Sequence, residues 1–259
     1  MEKNIQENIQ DLKNNKKFGK ITILFLILAF AFVVFNQFQL FNLGSTTNSG
    51  TIPTGLAVAE ASDIIPKGTP RIYGEEFGIT YNYVSPDNPE LADQAISFLG
   101  NLDRTIELTG TDQERYVDIT SQISCEYCCG AKSIIFTKED AENLKKNIVA
   151  AIEAGKITEE QAKQYKRNAG EPACGCAHSF AMRGLAKYLV KEHGTEFTND
   201  EILEELAKWK TLFFPGQMVA KAQILKEKGI EFNYINLGSN KYRDIEKGAQ
   251  AGSGMVGGC

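Results

Sequence analysis

Two short stretches of the sequence concentrate the side chains that could do chemistry. CEYCCG and CGCAH hold five of the six cysteines and one of the two histidines: Cys125, Cys128, Cys129, Cys174, Cys176 and His178. Thiolate and imidazole are the donors that zinc and copper(I) prefer. Five thiols and one imidazole are enough for a single four-ligand site with spare donors, or for a site of two metal ions. The pattern therefore predicts a zinc or copper site formed by these six residues.

The local sequence around each cluster favours this chemistry. Cys125 and Cys128 are followed by Gly130, and a glycine there permits a tight turn that brings nearby sulfurs to one side. Cys174 and Cys176 precede an apolar helical pattern, and the N-terminus of a helix favours thiolate. His178 lies on the helix face that also carries Met182 and Leu185, so we expect it to point inward.

Other interpretations of the cysteines stay open. Six cysteines in an oxidising compartment also fit a surface interaction module held together by disulfides. A thiol–disulfide oxidoreductase with Cys125 and Cys128 as its reactive pair is a third hypothesis, although no thioredoxin-like βαβ pattern surrounds the motif. Cys129 fits a buried free thiol as well as a ligand. Cys259 at the C-terminus fits either a lid over the site or a free reactive thiol.

The two histidines differ in their sequence context. His178 fits either a ligand or a hydrogen-bonded structural residue, since it follows Cys176 by two positions. His193 lies at the end of the same predicted helix. An imidazole suits the C-terminal end of the helix dipole, so His193 is predicted to be a capping residue.

An apolar segment near the N-terminus predicts a membrane anchor. Residues 21–41 would span about 30 Å as a helix, which matches the hydrocarbon thickness of a bilayer. Bulky residues follow the apolar run where a cleaved signal peptide has small ones. Five lysines precede the segment, so residues 1–20 are expected in the cytoplasm and the C-terminal part outside the cell membrane. The predicted partner of residues 21–41 is membrane lipid.

The remaining sequence predicts one mainly α-helical domain with a short strand or β-hairpin near the cysteines. We expect a flexible or extended tether over 42–85, the Cys/His-rich domain over 86–237 and a Gly-rich tail over 238–259. Within the domain, residues 138–170 combine helical periodicity with a Thr158–Gln161 capping box, which indicates an inserted helical hairpin. Such an insert can loop out, leaving the two cysteine clusters adjacent in space.

Charge and motifs exclude several function classes. The net charge is −5 and no basic stripe is visible, so nucleic acid is not an expected partner. The sequence contains no P-loop, G-x-S-x-G or H-E-x-x-H motif and no C-x-x-C-H haem attachment site. We therefore expect a structural or metal-handling protein rather than an enzyme.

The second cluster also carries a family resemblance. The segment from Pro172 to Cys176, with CEYCCG upstream and two helices downstream, resembles the cysteine-rich region of the PCYCGC-motif proteins. Those proteins are envelope-associated and of unknown function. The resemblance implies a metal-binding role at the cell surface through Cys174 and Cys176, while Ala173 stands where that motif has a cysteine.

Overall fold

The structure, a computed structural model, describes residues 64–248 and 254–257. This part of the chain is mainly helical, in agreement with the predicted fold class. Its α-helices are α1 (Tyr73–Phe77), α2 (Pro89–Thr105), α3 (Gly110–Thr120), α4 (Lys138–Glu153), α5 (Glu159–Lys163), α6 (Ala177–Glu192), α7 (Asn199–Phe213), α8 (Pro215–Glu227) and α9 (Tyr234–Gly238). Short 3-10 turns occur at Tyr81–Tyr83 and Asn240–Tyr242.

The predicted anchor over 21–41 lies outside the described residues. Within residues 64–248 and 254–257, no helix combines the length and the apolar character needed to cross a membrane.

Helix α6 forms the centre of the fold and packs closely against α2. Gly184 permits this approach, since a Cβ atom there would overlap the carbonyl oxygen of Leu99 and lie 2.8 Å from the backbone nitrogen of Asp103. Helix α7 packs on α6 and buries Trp209 and Phe213, as their helical spacing predicts. The N-terminus of α6, which carries the second cysteine cluster, is thereby held in the core.

Side-chain caps define where several helices begin. The predicted capping box of Thr158 and Gln161 starts α5. The spacing of Thr198 and Glu201 also predicts a capping box, and this box starts α7. A further capping box, formed by Thr137 and Asp140, starts α4. In each box the threonine side chain and the residue three positions on satisfy backbone N–H groups that the helix leaves unpaired.

Helices α4 and α5 form a hairpin that is joined to the core by a narrow neck. Phe136 N donates to Glu171 O at 2.8 Å, Gly170 N to Phe136 O at 2.9 Å and Ala173 N to Ile134 O at 3.2 Å. The predicted strand at AKSIIF is not present. Among the described residues the neck contains one isolated bridge, Ile135 to Pro172, because its two segments diverge into the hairpin before a ladder can extend.

Residues 64–85 differ from the predicted tether, because they pack on the core. Tyr73 and Tyr81 are buried, and their hydroxyls donate to Glu205 Oε2 at 2.7 and 2.5 Å. Trp209 Nε1 donates to the Tyr73 hydroxyl at 2.8 Å. These bonds satisfy a buried carboxylate and fasten the segment to α7.

The C-terminal part also differs from its prediction. The sequence of IEFNYINL predicts an extended segment, but its second half is helix α9, capped by Asn233 and packed by Gly238 against Ala207. Within the predicted flexible tail, Val256 is buried and its N–H donates to Phe213 O at 2.9 Å. Tertiary burial therefore orders parts of the chain whose composition predicts a flexible tail.

Candidate metal centre

The structure brings the two cysteine clusters together at the N-terminus of α6. One donor atom from each of Cys125, Cys128, Cys176 and His178 lies within 4.8 Å of the other three, and so do those of a second set, Cys129, Cys174 and Cys176. Sulfurs bound to one tetrahedral zinc lie about 3.8 Å apart, given a Zn–S bond of about 2.3 Å. The Sγ atoms of Cys125 and Cys176 are 3.4 Å apart, so small side-chain movements would accommodate a metal ion between them.

A single turn of backbone presents the first cluster. The N–H groups of Cys128 and Cys129 both donate to Cys125 O at 3.2 Å. Gly130 ends the turn with φ of +69°, a left-handed conformation that glycine adopts without strain. The prediction of a tight turn closed by glycine is confirmed.

The second cluster forms the N-cap of α6. Cys176 is the capping residue, and its Sγ atom accepts a hydrogen bond from Ser179 N at 3.4 Å. The helix dipole and the unpaired N–H groups of the first turn favour negative charge at this sulfur. Cys176 therefore lies at a position that favours its thiolate form, and its sulfur faces Cys125 of the first cluster.

His178 has one ring nitrogen committed and one without a hydrogen-bond partner. Its Nε2 atom lies 2.7 Å from Val256 O, and because a carbonyl oxygen only accepts, Nε2 carries the proton. Nδ1 is buried without a hydrogen-bond partner, on a side chain that is fully buried. The ring centroids of Phe213 and Phe214 lie 4.6 and 5.0 Å from the centroid of the His178 ring. Metal-ligating histidines typically show this arrangement, in which the non-ligating N–H donates to a backbone carbonyl.

Disulfides involve part of the cluster. Cys129 is bonded to Cys174, with a Cα–Cα distance of 6.4 Å, and Cys128 is also disulfide-bonded. Among the described residues Cys125 and Cys176 are the free thiols, and both are buried. Cys125 and Cys128 are therefore not a thiol pair in this state of the protein. Cys259 lies outside the described residues.

The two free thiols have opposite pKa shifts. The hydrogen bond with Cys125 lowers the pKa of Cys176, and hydrogen bonds with Ser179 lower it further against the effect of burial. The same hydrogen bond, together with burial, raises the pKa of Cys125. The directions of these shifts favour a Cys176 thiolate that accepts a hydrogen bond from a Cys125 thiol.

Arg183 on α6 ties the second cluster and the neck to the helical core. Its guanidinium donates to Cys174 O at 2.9 Å and Ile134 O at 3.1 Å, and forms an ion pair with Asp103 of α2 at 2.8 Å. Asp103 also pairs with Lys187 at 2.8 Å. Because Arg183 is fully buried, its charge depends on these partners, and it sets the position of the neck relative to α6.

Buried charges also lie beside Cys125. The Lys210 ammonium contacts Glu126 Oε2 at 2.7 Å and donates to Gly238 O at 2.8 Å. Lys221 lies 3.9 Å from the other Glu126 oxygen, and both lysines are fully buried. Burial lowers the pKa of Lys210 to about 8. The positive charge of Lys210 acts on Cys125 in the direction that favours thiolate.

Sequence reasoning identified the six sulfur and imidazole positions but not the charged residues around them. Lys210 lies on a helix face with Leu206 and Phe213, and a charged residue inside an apolar stripe was the available signal there. Arg183 has Ser179 and Lys187 at helical spacing, so its sequence context carried no such signal. His193 is the C-cap of α6, as predicted, and lies outside both sulfur sets.

Comparison with known proteins identifies no relative. No family model, no curated protein and no solved structure matches this chain.

Proposed function

We propose that this protein binds zinc or copper(I) through Cys125, Cys176 and His178, with Cys128 as a fourth ligand once its disulfide is reduced. The supporting observation is the buried Nδ1 atom of His178, which has no hydrogen-bond partner while Nε2 is held by Val256. A buried nitrogen lone pair without a partner is costly, and a metal ion bound among the neighbouring sulfurs would satisfy it. Both metals accept thiolate and imidazole ligands.

The role that this geometry supports is structural or metal-handling. The ligands come from two segments far apart in sequence, so a bound metal ion would join the first cluster to the N-terminus of α6. A four-ligand Cys3His set is a closed site of the kind that holds structural zinc. A three-ligand set without Cys128 is open, and such a site suits transfer of copper(I) more than a purely structural role.

Metal analysis of the full-length chain tests this proposal. The protein is purified in mild detergent under anaerobic conditions without chelators, and metal content is measured by plasma mass spectrometry. We expect one zinc or copper ion per chain. His178→Gln should reduce metal affinity at least about tenfold, whereas His193→Gln, the matched control at the other histidine, should leave it unchanged. Absence of bound metal, or a His178→Gln protein that binds as well as the wild type, would reject the proposal.

Thiol–disulfide exchange is a second candidate function. Its supporting observation is that Cys176 Sγ lies 3.5 Å from Cys174 Sγ, which belongs to the Cys129–Cys174 disulfide. The reactive residue would then be Cys176 and not the pair Cys125 and Cys128. Insulin reduction by a dithiol that is accelerated by the wild-type protein but not by Cys176→Ser would support it. Equal rates with and without the protein would reject it.

We also propose that the domain lies outside the cell membrane, anchored through residues 21–41. The Cys129–Cys174 disulfide supports this location, because disulfides persist in oxidising compartments. Protease treatment of intact cells should digest the domain while leaving a cytoplasmic control protein intact. A domain that is protected until the cells are lysed would contradict this location.

A further inference from the structure

The second set of sulfurs, Cys129, Cys174 and Cys176, adjoins the first and shares one residue with it. Cys176 Sγ lies 3.4 Å from Cys125 Sγ in the first set and 3.5 Å from Cys174 Sγ in the second. All three sulfurs of the second set lie within 4.8 Å of one another. The shared sulfur is therefore placed between two groups of donors, which is the position of a bridging thiolate.

The Cys129–Cys174 disulfide controls whether the second set can bind metal. Thiolates bind metal ions, whereas disulfide sulfurs are poor ligands. We propose that reduction of this disulfide opens a second metal position beside the first, with the Cys176 thiolate bridging the two ions. This inference rests on the proposed function, because it assumes that the first position binds metal. The number of bound ions then depends on the redox state of the protein.

The exposure of the two bonded residues indicates how reduction proceeds. Cys129 is exposed, whereas Cys174 is buried with 4% of its surface accessible. One thiolate of an external dithiol attacks Cys129 Sγ, forms a mixed disulfide and releases the Cys174 thiolate. The second thiol of the reductant then displaces Cys129 and closes the reductant's own disulfide. Two electrons pass to the protein, and the Cys129 and Cys174 thiols lose their protons when they bind the metal ion.

The positions of buried cations fit two anionic centres. Arg183 donates to the backbone oxygen of Cys174, and the positive charge of Lys210 acts on Cys125. A cationic side chain thus lies near each set of sulfurs. Arg183 is also paired with Asp103, and Lys210 with Glu126. The negative charge of thiolates formed on reduction would therefore lie beside groups that already form ion pairs.

Zinc titration of the full-length chain in two redox states tests the inference. Oxidised and phosphine-reduced protein, freed of reductant under anaerobic conditions, are titrated with Zn²⁺ and examined by native mass spectrometry. We expect one ion in the oxidised state and two in the reduced state. One ion in both states overturns this inference and leaves the proposed function standing. Absence of bound zinc in both states overturns the inference and the proposed function together. A gain of two ions on reduction overturns the bridged arrangement.

Serine variants identify the residues involved. Reduced Cys129→Ser and Cys174→Ser proteins should each bind one ion. Cys128 is also reduced under these conditions, but it belongs to the first set of donors and does not add a second metal position. Reduced Cys176→Ser should bind neither ion tightly, because both positions use this sulfur. Serine is itself a favourable N-cap residue, so the helical circular dichroism of Cys176→Ser should match the wild type. Two ions bound by Cys129→Ser, or a tightly bound ion retained by Cys176→Ser, would overturn the inference.

Discussion

The core around α6 and the hairpin of α4 and α5 differ sharply in how they are held. Helices α6 and α4 have 16 residues each, but α6 buries ten of them and α4 buries only Ile148. Helix α4 depends on its capping box and its partner α5, whereas α6 is packed by α2, α3 and α7. The cysteines lie at the neck between these two regions. The candidate site therefore belongs to the densely packed core around α6. The hairpin of α4 and α5 is connected to that core only through the neck.

Loss of the disulfide at the neck should produce the largest effect. Cys129 and Cys174 are separated by 45 positions, and closing a loop of this length stabilises the folded state by about 4 kcal/mol in the chain-entropy treatment. The double variant Cys129→Ser/Cys174→Ser should lose about that much unfolding free energy in urea denaturation. As a control, replacing the hairpin with a short Gly/Ser turn should reduce the disulfide's contribution by roughly 1 kcal/mol. An unchanged contribution would contradict the loop-closure explanation.

A pair of glycine substitutions compares the two regions directly. Gly184→Ala should destabilise the protein by about 3 kcal/mol, because the added methyl group overlaps Leu99 O and forces α2 and α6 apart. Gly155→Ala in the hairpin meets no atom within 4 Å. This substitution should lower the free energy of unfolding by only about 1 kcal/mol, because alanine adopts the left-handed backbone conformation of Gly155 less readily than glycine does. Urea denaturation of both variants measures the difference, and equal losses would refute the contrast between core and hairpin.

Truncation of the hairpin's buried side chain should have a smaller and local effect. Ile148→Ala should cost roughly 1 to 2 kcal/mol, at or below the lower end for such core truncations, because the side chain packs mainly within the hairpin. Amide hydrogen exchange should accelerate in α4 and α5 but not in α6. Zinc binding should remain at the wild-type level. Faster exchange in α6 would show that the hairpin and the core unfold together.

The smallest expected effect is a pH dependence of stability that arises from His193, at the end of α6. Burial opposes protonation of His193, but the carboxylates of Glu196 and Glu76 outweigh it and raise the pKa above its ordinary value of 6.5. A raised pKa in the folded state means that the stabilisation is complete below pH 6.5 and is lost as pH rises through the folded-state value. The melting temperature should therefore contain a component that declines above pH 6.5. His193→Gln should remove this component, whereas deletion of the hairpin, which contains no histidine, should not.

Helix positions could be predicted because their signals are local. The boxes at Thr158 and Thr198 and the stripe of Trp209 and Phe213 involve residues within a few positions of one another. The predicted extended segment at IEFNYINL differed because Asn233 caps a helix there and Gly238 packs on Ala207. Alternation of apolar and polar residues is a weaker constraint than such packing.

The sequence predicted which residues form the candidate site, but not which cysteines are bonded to each other or which charged residues contact them. Spacing and residue type predicted six donors, and the structure brings them together in two groups that share Cys176. Cysteine connectivity does not follow from sequence, so the Cys129–Cys174 pairing and the shared position of Cys176 were not predicted. Arg183 and Lys210 were missed because a charged residue on a buried face has a role only through partners distant in the chain.

The sequence by itself determined the helical character of this domain, through capping boxes and periodic apolar residues, and its thiol-rich chemistry, through composition and spacing. Tertiary structure alone decided which sulfurs meet, which are bonded, and that His178 Nε2 is held by Val256 so that Nδ1 remains available. The reason is range. Caps and periodicity act over one or two helical turns, whereas the site depends on the packing of α6 against α2 and α7, which joins residues far apart along the chain.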